Sequence, residues 1–140
     1  MTWLENERSK VRKSHIVNLV SLALADGIID KKEQSLLIKI ATQTGMSSEE
    51  FEEILENPEM IKFYPPATKE EAAVQLLDLV LMMLADGKIQ DTEMSFCSEI
   101  ALKLGFPARK VDNIIETIIE DINRKIEREL LIRKILAGSN

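Results

Sequence analysis

The chain has 140 residues, 45% of them hydrophobic, one cysteine and a formal charge of −6. That length suits one domain, which can bury roughly 68–70% of its unfolded surface. The acidic balance excludes a general nucleic-acid binder, which carries a basic footprint, and a single cysteine excludes an intramolecular disulfide, so a reducing, cytoplasmic location is expected.

Scarce aromatics, and glycines and prolines gathered at segment ends, predict an all-α chain. The first helix is expected over 3–25, with Val11, Ile16, Leu19, Val20, Ala23 and Leu24 forming its apolar stripe. Basic residues Lys10, Arg12 and Lys13 before an apolar run ending Ala23-Leu24-Ala25 imitate a secretory signal. An equally apolar run, Leu76 to Ala85, recurs mid-chain, so both runs read as core helices; about ten residues are also too few to cross a bilayer. Gly27 stops the first helix, and Asp30-Lys31-Lys32-Glu33 opens a second as a capping box ending at Gly45. Ser47-Ser48-Glu49-Glu50 opens a third, with Met46 and Phe51 as its hydrophobic staple, stopping near Pro58. Three of the four prolines fall in 58–67, which reads as a linker. Thr68-Lys69-Glu70-Glu71 is another capping box, and helices follow over about 68–85, 91–104 and 107–122. The Ile/Leu stripe then continues to the end, either as one helix to Leu136 or with a break near Asn123-Arg124.

The second half repeats the first. Residues 16–55 align with 76–115 without a gap, and 13 of the 40 aligned positions are identical. Leu24-Ala25-Asp26-Gly27-x-Ile29 returns as Leu84-Ala85-Asp86-Gly87-x-Ile89, Glu33 as Glu93, and Gly45 as Gly105. Periodicity accounts for the apolar matches but not for an Asp-Gly and a Glu kept in step. The expected architecture is a single helical domain: repeat one over about 11–57, a linker at 58–67, repeat two over about 68–122, and an extended C-terminal helix at 123–137. Two pseudo-symmetric three-helix repeats would share one core, because each alone exposes an apolar face.

Asp26 and Asp86 end apolar helices, where a carboxylate meets the negative end of the helix dipole at a cost of about 0.3–1 kcal/mol. Each Asp can cap its own turn; alternatively Asp26, Glu33, Asp86 and Glu93 converge on a cation. An EF-hand loop is excluded. With Gly27 at its glycine position, the first and third ligands fall on Leu22 and Leu24, and in the second copy on Met82 and Leu84, which supply no oxygen.

An apolar helix, Ala-Asp-Gly-x-Ile-x-x-x-Glu, an amphipathic helix, Gly and a third helix, given twice, resembles the TerB-like family of tellurite-resistance proteins. That domain also occurs attached to other modules, including a J-domain co-chaperone. The resemblance covers roughly residues 11–120. It implies an all-helical fold, a role in bacterial stress response or protein association, and metal sensing through the positions that match the motif, Asp26, Glu33, Asp86 and Glu93. Four carboxylates suit calcium or magnesium; with no His and no second Cys nearby they suit a transition metal less. Gln90 departs from the pattern where the first copy has Asp30.

Catalysis finds little footing. His15 lies alone on the first helix and is expected to be partly exposed and inert; Cys97 aligns with Leu37 and is expected to be a buried small hydrophobe. Two surfaces remain. Glu49, Glu50, Glu52, Glu53, Glu56 and Glu59 crowd eleven residues that hold no Lys or Arg, whereas the second copy has Arg109-Lys110 where the first has Glu49-Glu50. The C-terminal basic residues have acidic neighbours at helical spacing and are expected to form solvated ion pairs. The chain is therefore expected to be a non-enzymatic interaction module with an unidentified protein partner and no membrane insertion. A homo-oligomer is admitted, and a divalent-cation sensor is the alternative.

Overall fold

The computed structural model describes residues 3–25, 27–85 and 87–139, with only the backbone of 3–5. Most of the described residues are helical, with no strand among them. In chain order they are α1 (Trp3–Ala23), α2 (Lys31–Gln43), α3 (Ser48–Glu56), a short 3-10 turn (Pro58–Met60), α4 (Lys69–Leu84), α5 (Asp91–Lys103), α6 (Ala108–Asn123) and α7 (Arg128–Gly138). None is long and apolar enough to cross a membrane.

The centre of the molecule is α1 packed on α4. α1 also packs on α2, α3 and α5, and α4 on α2, α5, α6 and α7. Ile16, Leu19 and Leu22 from α1 and Leu76, Leu77, Leu79, Val80, Met82 and Met83 from α4 are fully buried. α4 is surrounded on nearly all sides, which accounts for its almost continuous apolar run. α1 ends two residues before the expected Ala25. Leu24 therefore falls in the turn and is 44% exposed, and Leu22 takes its place in the core.

Local chemistry sets the helix ends. Asp30 accepts the Glu33 N–H at 2.8 Å, while Glu33 Oε1 accepts the Asp30 N–H at 3.2 Å. Ser47 and Glu50 form the same reciprocal pair at 3.1 and 3.4 Å. At Thr68 the box is half made: Thr68 accepts the Glu71 N–H, but the Glu71 carboxylate turns to the N–H of Ala67. Gly27, Gly45, Gly87 and Gly105 all take positive φ at the ends where sequence places them. Residues 58–67 lie along α1: the Tyr64 N–H donates to Ser14 Oγ at 2.9 Å, and Lys10 sits over the Tyr64 ring. Arg12 links α1 to the end of α2 and the start of α3, through the Thr44 carbonyl at 3.4 Å and Glu50 at 3.9 Å.

The C-terminal stripe is broken, as one of the two expectations had it. Lys125 takes φ 60°, with its N–H bonded to the Ile122 carbonyl and that of Ile126 to the Asp121 carbonyl. This paired closure ends α6 and turns the chain back, so the last helix is a separate α7 starting at Arg128 rather than a continuation from residue 123. A lysine pays a steric cost in the left-handed region that glycine avoids. Lys125→Gly should therefore stabilise the protein by about 0.5–1 kcal/mol, visible as a higher urea midpoint at unchanged m-value. An unchanged or lower midpoint would contradict this account of the turn.

Candidate functional site

Glu33 and Glu93 occupy the third positions of α2 and α5 and are each 1% exposed. Each spends one carboxylate oxygen on its own helix start: Glu33 accepts the Asp30 N–H, and Glu93 the Gln90 N–H at 3.2 Å. Asp26 and Asp86, the other half of the expected cation set, lie outside the described residues. Among the described residues, no group of three or more His, Cys, Asp or Glu side chains is placed to hold a metal ion.

A polar cluster that sequence reasoning missed lies in the α1–α4 contact. Ser14, His15 and Asn18 from α1 and Gln75 and Asp78 from α4 are all buried. His15, expected to be partly exposed, is only 4% exposed and holds Asp78 Oδ2 at 2.9 Å through Nε2. With the proton on Nε2, the ring donates and the carboxylate accepts. Arg128, the first residue of α7, donates to the other carboxylate oxygen at 3.0 Å. One buried carboxylate thus ties together α1, α4 and α7. His15 Nδ1 and Asn18 Nδ2 are buried without a hydrogen-bond partner among the described residues. A carboxylate holding an imidazole fixes its ring and tautomer, as in catalytic dyads. Here the remaining ring nitrogen is enclosed in the core, and the arrangement reads as a clamp between helices.

The signal for this cluster was in the repeat. Asn18 and Asp78 are equivalent at the offset of 60, and so are His15 and Gln75. Two polar positions one helical turn apart, repeated on the two most apolar helices, mark facing surfaces.

Cys97 is fully buried, as its alignment with Leu37 indicates, and desolvation pushes its thiol up from 9.0 to about 12. The thiolate is the reactive form, so native-state alkylation should proceed only through opening, far more slowly than in denaturant. Modification at the unfolded rate in native buffer would refute the burial. The sign for stability follows. Between about pH 9 and 12 the unfolded thiol loses a proton that the folded one keeps, so stability from this group falls as pH rises, by up to about 1.4 kcal/mol per pH unit.

Charge inverts between the repeats at two equivalent positions, Glu49-Glu50 and Arg109-Lys110, while Glu52 and Glu56 are matched by the acidic, exposed Asp112 and Glu116. Glu49, Glu52, Glu53 and Glu56 are exposed along α3 beside Leu55, which is 43% exposed. Among the described residues, Glu50 alone of the α3 acids has an ion-pair partner, Arg12. At the start of α6, neither Arg109 nor Lys110 forms an ion pair among the described residues, and Pro107 offers no side-chain cap. Between α6 and α7 runs a groove of 190 Å³ with Ile114, Ile118, Leu131 and Ile135 at its base and Lys110 and Lys134 at its edge. Lys134 is held by the buried Asp121 at 2.7 Å. This pair joins two helices; among the described residues none of the C-terminal ion pairs expected at helical spacing forms, and Arg128 turns inward to Asp78 instead.

No protein-family model, curated protein or solved structure matches the chain.

Proposed function

We propose that this chain is a non-enzymatic interaction module of the TerB-like kind, built from two pseudo-symmetric three-helix repeats and serving a bacterial stress response in the cytoplasm. The observation that carries the reading is the acidic face of α3 together with the Arg109-Lys110 pair at the start of α6, charges that, Glu50 aside, form no ion pair among the described residues. Unneutralised charge beside exposed aliphatic surface is the make-up of a docking face. The repeat reading is supported by α2 and α5, which span 31–43 and 91–103, and by the shared positive φ at Gly27 and Gly87 and at Gly45 and Gly105. The test is isolation of partners from the source cell with and without chelator. A defined complex that survives chelator and is lost on charge reversal of α3 or of Lys110 supports the module. Absence of any stable complex counts against it.

A divalent-cation sensor is the second reading, favoured by the buried Glu33 and Glu93 at the same position of their motifs. Asp26, Asp86, Glu33 and Glu93 would hold calcium or magnesium, with water completing the shell. Bound cation would raise stability by about 2.7 kcal/mol at a hundred times its dissociation constant. On the leading reading each Asp caps its own turn: millimolar calcium or magnesium leaves the melting temperature unchanged, while Asp26→Ala lowers it. A metal-dependent rise abolished by Asp26→Asn/Asp86→Asn would reverse the order of the two readings.

A further inference from the structure

We propose that the groove between α6 and α7 receives the acidic α3 face of a second copy of this chain, so that copies associate head to tail. The inference rests on the interaction-module reading and names its partner. The groove is too small for a typical small-molecule site of about 300–1,000 Å³, but 190 Å³ between Ile114, Ile118, Leu131 and Ile135 suits an inserted aliphatic side chain. Lys134 and Asp121 in its lining hold each other, but Lys110 at its edge and the exposed Arg109 next to it in sequence form no ion pair among the described residues. Positive charge at a helix N-terminus is the unfavourable sign, and an incoming carboxylate relieves it.

The complementary surface is on the same chain. α3 exposes Leu55 within one turn of Glu52 and Glu56, an aliphatic knob with two carboxylates along one flank. α3 has nine residues and α7 eleven, so the helices run about 13 and 16 Å and match in length. Leu55 enters the groove while Glu52 and Glu56 reach Lys110 and Arg109. α3 and α6 occupy equivalent places in the two repeats, so one copy offers a knob where the other offers a slot. Such a contact is heterologous and propagates into rings or open chains rather than stopping at a twofold dimer. The footprint of one short helix falls below the standard interface size, so the association is weak and concentration-dependent. The formal charge of −6 opposes it at long range. At 0.1 M salt that repulsion is screened beyond about 10 Å, whereas contact pairs persist, and at 1 M they too are screened.

The experiment is sedimentation velocity on the whole chain across a concentration series at 0.1 and 1 M salt. Wild type should show association at high concentration in 0.1 M salt, weakened at least tenfold in 1 M. Lys110→Glu and Glu52→Lys, both surface changes that should leave the melting temperature nearly unchanged, should each be monomeric alone. Mixed in equal amounts they should associate, since the α3 of the first still fits the groove of the second. A wild type monomeric at every concentration, variants that associate as well as wild type, or a mixture that stays monomeric would overturn the proposal. A chelator-resistant complex with another protein, found alongside a strictly monomeric wild type, would sink the second copy as occupant while leaving the module reading intact.

Discussion

Replacing Asp78 with Ala is expected to destabilise the protein by about 2–4 kcal/mol, the range set by removing one member of a buried charged network. Two donors lose their acceptor, but unequally. Arg128 is about half exposed, so water takes over its hydrogen bond. His15 is enclosed in the core, and its Nε2–H is left without a partner. Most of the cost therefore lies on the His15 side. Arg128→Ala should cost only about 1 kcal/mol, the scale of a part-exposed charge-assisted bond. Asp78→Asn should fall between, since it keeps one acceptor oxygen but sets an amide against the second donor. The double replacement His15→Leu/Asp78→Leu should cost less than Asp78→Ala alone, because apolar groups remove donor and acceptor together. Urea unfolding of the four variants checks the order. An Arg128→Ala cost equal to or above that of Asp78→Ala would show that the α7 contact, not the helix-to-helix clamp, carries the network.

The second large effect is in the apolar core. Ile16→Ala and Leu76→Ala should each cost about 3–4 kcal/mol, by lost transfer energy plus a cavity that close packing cannot fill. Both side chains are fully buried on α1 and α4, and they are equivalent at the offset of 60. On the proposed reading of two pseudo-symmetric halves sharing one core, the two costs should lie within about 1 kcal/mol of each other, inside the spread seen at fixed chemistry. A cost near zero at Ile16 with the full cost at Leu76 would mean that the second repeat folds alone and the first is peripheral. The melting temperature should fall by roughly 2–4 °C per kcal/mol in a chain of this size.

What the sequence made legible was local. The bounds of α2 and α5, the capping pairs at Asp30 and Ser47, the four turn glycines and the burial of Cys97 all follow from signals within a few residues of one another. The clamp did not. His15 and Asp78 are 63 residues apart, and Asp78 and Arg128 are 50 apart. A lone His on a helix carries no mark of which side faces the core. Asp78 was hidden inside an apolar run, where only its match with Asn18 hinted at a facing surface. Arg128 could be placed only by knowing that the backbone reverses at Lys125, which swings α7 back over α4 instead of prolonging α6. Leu24 failed for the opposite reason: the apolar stripe was right, but the helix ended one residue too soon to bury it. Of the expected cation set, Glu33 and Glu93 are fixed by their helix starts, and Asp26 and Asp86 lie outside the described residues.

The packing of α1 on α4 has a thermodynamic consequence. The two helices belong to different halves of the sequence, yet each is the principal wall of the other's burial site. Neither half can melt while the other stays native, because the survivor would face water with a bare aliphatic flank and an enclosed carboxylate stripped of its imidazole. Opening is therefore a whole-chain event, and the slowest-exchanging amides of α1 and α4 should report the same free energy as global unfolding.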